Sequence, residues 1–131
     1  MGSNMLLEKS LENKNTADWA EKQEYYDVAI SRLYYSMYQK IISIANKREY
    51  KIVKKKGKGS HYHFINDFII KAKEESVVEP TDCIYLYKIN ALRELRNTSD
   101  YDNVKIEDED EFKMNFKSYY IKIDQVLCRL I

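Results

Sequence analysis

The sequence predicts an all-α fold, an up-and-down bundle of four main helices preceded by a short N-terminal helix. Three observations predict it. Only three glycines and one proline occur in 131 residues, so few positions favour a break. Apolar residues recur at steps of three and four in four separate segments, the period of a helix face. No segment reads as a sheet strand, apart from a brief strand-like pattern in "YKIV" (50–53). Short to medium connections between the segments favour antiparallel neighbours.

Residues 1–4 read as a cloning remnant, with Met5 as the natural start. "MLLEKSLEN" (5–13) reads as a short helix with Leu7 and Leu11 on one side. "NKNT" (13–16) interrupts it, and Thr16 is placed to cap a second short piece carrying Trp19. The longest helix is expected from about Glu24 to Asn46, with Tyr26, Ile30, Leu33, Tyr34, Met37, Tyr38, Ile41, Ile44 and Ala45 as its stripe. Residues 47–60 read as a basic loop that ends at Ser60, a helix cap. The next stripe is His61, Phe64, Ile65, Phe68, Ile69 and Ala72, with Lys71 and Lys73 suited to the negative helix end. Pro80, Thr81 and Asp82 start another helix, whose inner face is expected to hold Ile84, Tyr87 or Lys88, Ala91, Leu92 and Leu95. An acidic turn follows. The last helix begins near Asp108 or Asp110 and carries Phe112, Phe116, Tyr119, Tyr120, Ile123, Leu127 and Leu130.

The length suits one domain over 1–131, and 33% charged with 44% apolar residues suits a globular chain. A net charge of +1 excludes a strongly basic nucleic-acid binder or an acidic tail as the character of the whole. Charge is uneven locally. Lys47, Arg48, Lys51, Lys54, Lys55, Lys56 and Lys58 crowd one loop, and Asp100 to Glu111 is acidic. The basic run is either a solvated loop or a phosphate contact. Cys83 and Cys128 match no metal spacing and read as reduced, buried thiols of a cytoplasmic protein. No apolar run has the length of a membrane span, so no membrane partner is expected.

Several polar residues are candidates for a site. Arg32, Tyr35, Ser36 and Gln39 are spaced three and four apart and share a helix face, either solvated or lining a pocket or dimer surface. The paired tyrosines at 25–26, 34–35 and 119–120 cannot both face the core. His61 and His63 stand two apart, which is wrong for helical metal ligands, so no metal and no cofactor is expected. His61 reads as a capping or packing residue within reach of a phosphate. In "ALRELRNTSDYD" (91–102), Arg93 and Arg96 point roughly the same way, and Arg96 and Asp100 can pair four apart. Two guanidiniums beside a hydroxyl and a phenol can hold a phosphodiester. A neutral-pH base is missing from that segment.

Three segments together resemble the HEPN superfamily, small helical nucleotide-binding and RNase-related domains of prokaryotes. "YYDVAISRLYYSMYQ" (25–39) is similar to its second-helix signature, matching at Ala29, Arg32, Tyr34, Tyr35 and Ser36. "GSHYHFINDF" (59–68) is similar to the start of its third helix. "ALRELRNTSDYD" resembles its helix end at Arg96, Asp100, Tyr101 and Asp102. The resemblance spans roughly residues 15–105 and implies a four- or five-helix bundle, usually a homodimer. It points to members encoded beside a minimal nucleotidyltransferase, acting in toxin–antitoxin or phage-defence systems. RNase members place a His a few residues after the Arg; this chain has Tyr101 there, five residues after Arg96. The resemblance implies RNA or nucleotide binding near Arg32, Tyr35, Ser36, Arg93, Arg96 and Asp100, extended by Lys54, Lys55 and Lys56. For an atypical endoribonuclease, Arg96, Tyr101 and His61 are the catalytic candidates. A non-catalytic module binding a partner nucleotidyltransferase is the alternative, and a third reading makes the tyrosines dimer glue.

Overall fold

The computed structural model describes residues 2–53, 55–57, 59–101 and 106–131, the side chains of residues 2, 3 and 98–101 excepted. The described residues are helical or in connecting turns and loops, with no strand among them. The helices are α1 (Gly2–Lys22), α2 (Tyr26–Lys47), α3 (Ser60–Glu74), α4 (Pro80–Tyr101), α5 (Glu109–Phe112) and α6 (Ser118–Leu130). A π-helical turn, Lys113–Lys117, joins α5 to α6 without a break.

Helix α2 is the hub and packs against α1, α3, α4 and α6. Its buried stripe is Tyr26, Ile30, Leu33, Tyr34, Met37, Ile41, Ile44 and Ala45, as expected, while Tyr38 of the same expected stripe is half-buried. Phe64, Ile65, Phe68 and Ile69 of α3 join it, as do Leu86, Ile89 and Leu92 of α4. Phe112, Phe116, Ile123, Leu127 and Leu130 close the core from the last helical stretch. Each such side chain taken fully from water contributes about 1.5–3 kcal/mol.

Two expectations about helices are corrected. The N-terminal helix is neither short nor interrupted at residues 13–16; α1 runs through them. Asn13 is half-buried there, because it accepts from Arg32 and donates to Gln39 of α2. Ser10 is fully buried and bonds the hydroxyl and carbonyl of Ser36. The polar stretch is a hydrogen-bonded seam between two helices, not a break. In α4 the inner face is Cys83, Leu86, Ile89, Leu92 and Arg96, while Ile84, Tyr87 and Ala91 are exposed. The true stripe is bounded by buried Asp82 and Arg96, which apolar periodicity alone does not reveal.

The helix ends show how a glycine-poor chain turns. Two residues beyond the ends of α1, α2 and α3 stand Glu24, Glu49 and Ser76, whose φ values are 62°, 58° and 58°. After each, the next amide reaches back to a carbonyl five residues earlier: Tyr25 to Ala20, Tyr50 to Ala45 and Val77 to Ala72. This closes the left-handed cap that glycine usually supplies. Glycine is used where α3 begins: Gly57 and Gly59 have φ of 87° and 85°. Gly59, not Ser60, is the cap, and Ser60 is the first helical residue. Pro80 opens α4 as expected, and Asp82 bonds back to the Glu79 N–H at 3.0 Å. The other Asp82 oxygen accepts from Arg129 of α6 at 2.6 Å. Asp108 caps the last helical stretch by accepting from the Asp110 N–H.

Candidate functional site

The cluster forms where α2, α3 and α4 meet. Tyr34 and Tyr38 are one turn apart on α2, and their rings stack 6.1 Å apart. His61, in the first turn of α3, lies on Tyr38 with centroids 4.0 Å apart and planes within 19°. Its Nδ1 is 2.9 Å from the Tyr34 hydroxyl. From α4, the Arg96 guanidinium lies 5.3 Å from the Tyr34 ring centre and 4.9 Å from that of Tyr35. Tyr35 meets Tyr34 edge-on at 5.6 Å. Arg93, one turn before Arg96, sits over Tyr62 at 5.9 Å, and its buried Nε has no hydrogen-bond partner.

These neighbours set the electrostatics. Burial raises the Tyr34 phenol well above the ordinary tyrosine range, with Tyr38 adding and the two arginines opposing. Burial also raises Tyr38. Burial lowers His61, and the positive charges of Arg96 and Arg93 lower it further. At neutral pH the imidazole is therefore uncharged, with Nδ1 held by Tyr34 and Nε2 without a hydrogen-bond partner among the described residues. Arg96 is only 7% exposed and lies covered by the two tyrosine rings. A cavity of 220 Å³ opens beside the cluster, lined by Tyr38, Ile42, Lys55, Ser60, His61 and Phe64.

The candidate residues from the sequence divide into three groups. His61, Tyr35, Arg93 and Arg96 come together around Tyr34, and the exposed Lys55 lines the cavity beside them. Lys56 is exposed on the loop. Arg32 and Ser36 do not join the cluster: Arg32 donates to Asn13 and Ser36 is bonded to Ser10, both on α1. The face expected to carry Arg32, Tyr35, Ser36 and Gln39 is thus split, with only Tyr35 on the α4 side. Lys54 and the side chains of Asp100 and Tyr101 lie outside the described residues.

Sequence reasoning missed Tyr38, Ile42, Phe64 and Ser60 as lining residues. The available signal was the four-residue ladder of Tyr34, Tyr38 and Ile42 on α2. His63 pairs with Asp67, one turn along α3, at 3.2 Å. No group of three His, Cys, Asp or Glu side chains is placed for a metal ion among the described residues. Cys83 is buried, but Cys128 is exposed beside Lys40 and Asp124, contrary to the expectation of two buried thiols. No helix among the described residues is long and apolar enough to cross a membrane.

In comparison with known proteins, no family model and no curated protein matches the chain.

Proposed function

We propose that this chain is a HEPN-family RNA- or nucleotide-binding protein of a prokaryotic toxin–antitoxin or phage-defence system. It acts in the cytoplasm as a homodimer of up-and-down bundles. One observation carries the reading. The three segments that resemble the family, 25–39, 59–68 and 91–102, supply Tyr34, His61 and Arg96, and Tyr34 meets both of the others, His61 through its hydroxyl and Arg96 through its ring. Arginines, a neutral imidazole and aromatic faces are the groups that hold phosphate and unpaired bases. Arg93 is the arginine with more of its surface outside, at 18% side-chain exposure. As an endoribonuclease the protein would use Arg96 for charge, with His61 or Tyr101 moving a proton.

A second reading is favoured by the burial of Arg96, which lies under two rings instead of facing solvent. In it the protein is a non-catalytic module that binds a partner nucleotidyltransferase. One experiment separates them. Purified protein is incubated with tRNA and mRNA, with Arg96→Ala as control. Cleavage or binding lost in Arg96→Ala supports the first reading. An inert protein that co-purifies with the product of the neighbouring gene supports the second.

A further inference from the structure

The cavity beside His61 has a divided lining. Three of its lining residues, Tyr38, Ile42 and Phe64, are aromatic or aliphatic, and three, Lys55, Ser60 and His61, are polar, with Phe64 buried and Lys55 exposed. We propose that this cavity is a single-nucleotide pocket, taking one unpaired base against Tyr38, Ile42 and Phe64, with its phosphate on Lys55 and one base-edge hydrogen bond to His61 Nε2. The proposal rests on the RNA- or nucleotide-binding reading above and names the part of the ligand the site selects.

Size comes first. At 220 Å³ the cavity is smaller than the roughly 300–1,000 Å³ of sites that enclose drug-sized ligands. It admits one ring system with its substituents outside, and a base still paired in a duplex cannot enter. The lining chemistry is next. An apolar ligand would leave the lysine and imidazole idle, and a purely ionic one would desolvate the aromatic lining for nothing. A flat heterocycle carrying an anion uses both parts. Lys55 is exposed and pairs with no carboxylate among the described residues, so its charge is available to a phosphate.

His61 supplies the specificity. Its ring is held on one face by Tyr38 and at Nδ1 by Tyr34, so Nε2 keeps one direction without a ligand. The Tyr34 hydroxyl can donate or accept, so either neutral tautomer is available. Nε2 can then meet a donor or an acceptor on a base edge. The ligand chemistry is shared by a free nucleoside monophosphate and by an unpaired base in a single strand.

The test is a titration of the whole chain, followed by amide NMR. The probes are the four 5′-ribonucleoside monophosphates, a single-stranded RNA hexamer and the same sequence as a duplex. The expected result is movement of the Ser60–Phe64 amides with at least one monophosphate or with the hexamer, and none with the duplex. Monophosphate binding identifies a free-nucleotide site; hexamer binding alone identifies a site for a strand-borne base. Ile42→Trp, which fills the cavity, is expected to weaken binding at least about tenfold, the scale of one base–aromatic stack. Lys55→Glu should weaken it too, most strongly at low salt. Lys55 is exposed and lies outside every helix, so this variant decides the matter if Ile42→Trp fails to fold. Single-strand binding that neither substitution changes overturns the pocket while leaving the RNA-binding reading intact. A wild-type protein that binds none of the probes overturns both.

Discussion

The Tyr34 hydroxyl and His61 Nδ1 stand 2.9 Å apart across the α2–α3 contact, and neither side chain is at liberty to turn away. Tyr34 is fully buried on α2 and His61 is stacked on Tyr38 one turn further along. Tyr34→Phe removes this bond and keeps the ring under Arg96. A net loss of about 0.5–1.5 kcal/mol of stability is expected, the ordinary worth of one intramolecular hydrogen bond. Urea unfolding of the two proteins measures it; no change would mean that water replaces the hydroxyl fully.

The same pair makes stability depend on pH. His61 binds its proton less tightly in the fold than in the unfolded chain, because of burial and of Arg96 and Arg93. Around it lie Tyr34 and Tyr38 from α2, the two arginines from α4 and Lys55 from the loop, none of them an acid at these pH values. The unfolded state therefore holds more protons between the lowered folded value and about 6.5. Stability rises with pH across that window and is lost as pH falls through it. Unfolding midpoints at several pH values check this, and His61→Gln should flatten the slope there.

Arg96 contributes to the fold as well as to any ligand. Its guanidinium faces two tyrosine rings at 5.3 and 4.9 Å in a nearly water-free setting. Arg96→Ala is expected to cost about 1–3 kcal/mol, summing lost cation–π contact and packing. Arg96→Lys should recover less than half, since an ammonium lacks the planar face that covers a ring. Thermal melts of the three proteins decide it. An Arg96→Ala protein of unchanged stability would mean that the rings do not hold the cation.

Glu24 and Ser76 carry side chains in a backbone region suited to glycine, at φ of 62° and 58°. Glu24→Gly and Ser76→Gly should each stabilise by about 0.5–1 kcal/mol, the relieved Cβ strain exceeding glycine's extra unfolded freedom. The sites close different helices, so the double variant should show the sum. Calorimetry measures all three. A loss of stability would show that the left-handed caps cost less than the added chain entropy.

How much of this was legible beforehand follows a physical line. For α2 the sequence was sufficient, and the Pro80 start stands where proline chemistry puts it; in α4 even the apolar face was misplaced, with Leu86 and Ile89 buried in place of Ile84, Tyr87 and Ala91. Where burial is polar, the sequence misled. Asn13 looks like the start of an interruption until Gln39 is seen to bond it across the helix contact, and nothing in the spacing shows that Ser10 is buried against Ser36. Arg96 looks like a solvated charge until two tyrosine faces are seen above it, and that disguise hid the inner face of α4. A polar group's partner lies far along the chain, so its satisfaction is written in pairs that one-dimensional spacing does not carry. The candidate site shows both sides. Arg96 and His61 were visible as residue types, whereas the α1 attachments of Arg32 and Ser36 were not.

The cover over Arg96 has one more consequence, for how this protein can diverge. A guanidinium stays charged at any pH the cell meets. If Tyr34 or Tyr35 is replaced by a small aliphatic residue, Arg96 loses one of the faces that shelter its charge. If Arg96 is replaced first, both rings face a gap. Neither change is neutral alone, so descendants are expected to keep the trio together or to exchange its members in concert. In a lineage of such chains, the twelve tyrosines would drift at different rates, slowest where an arginine leans on them.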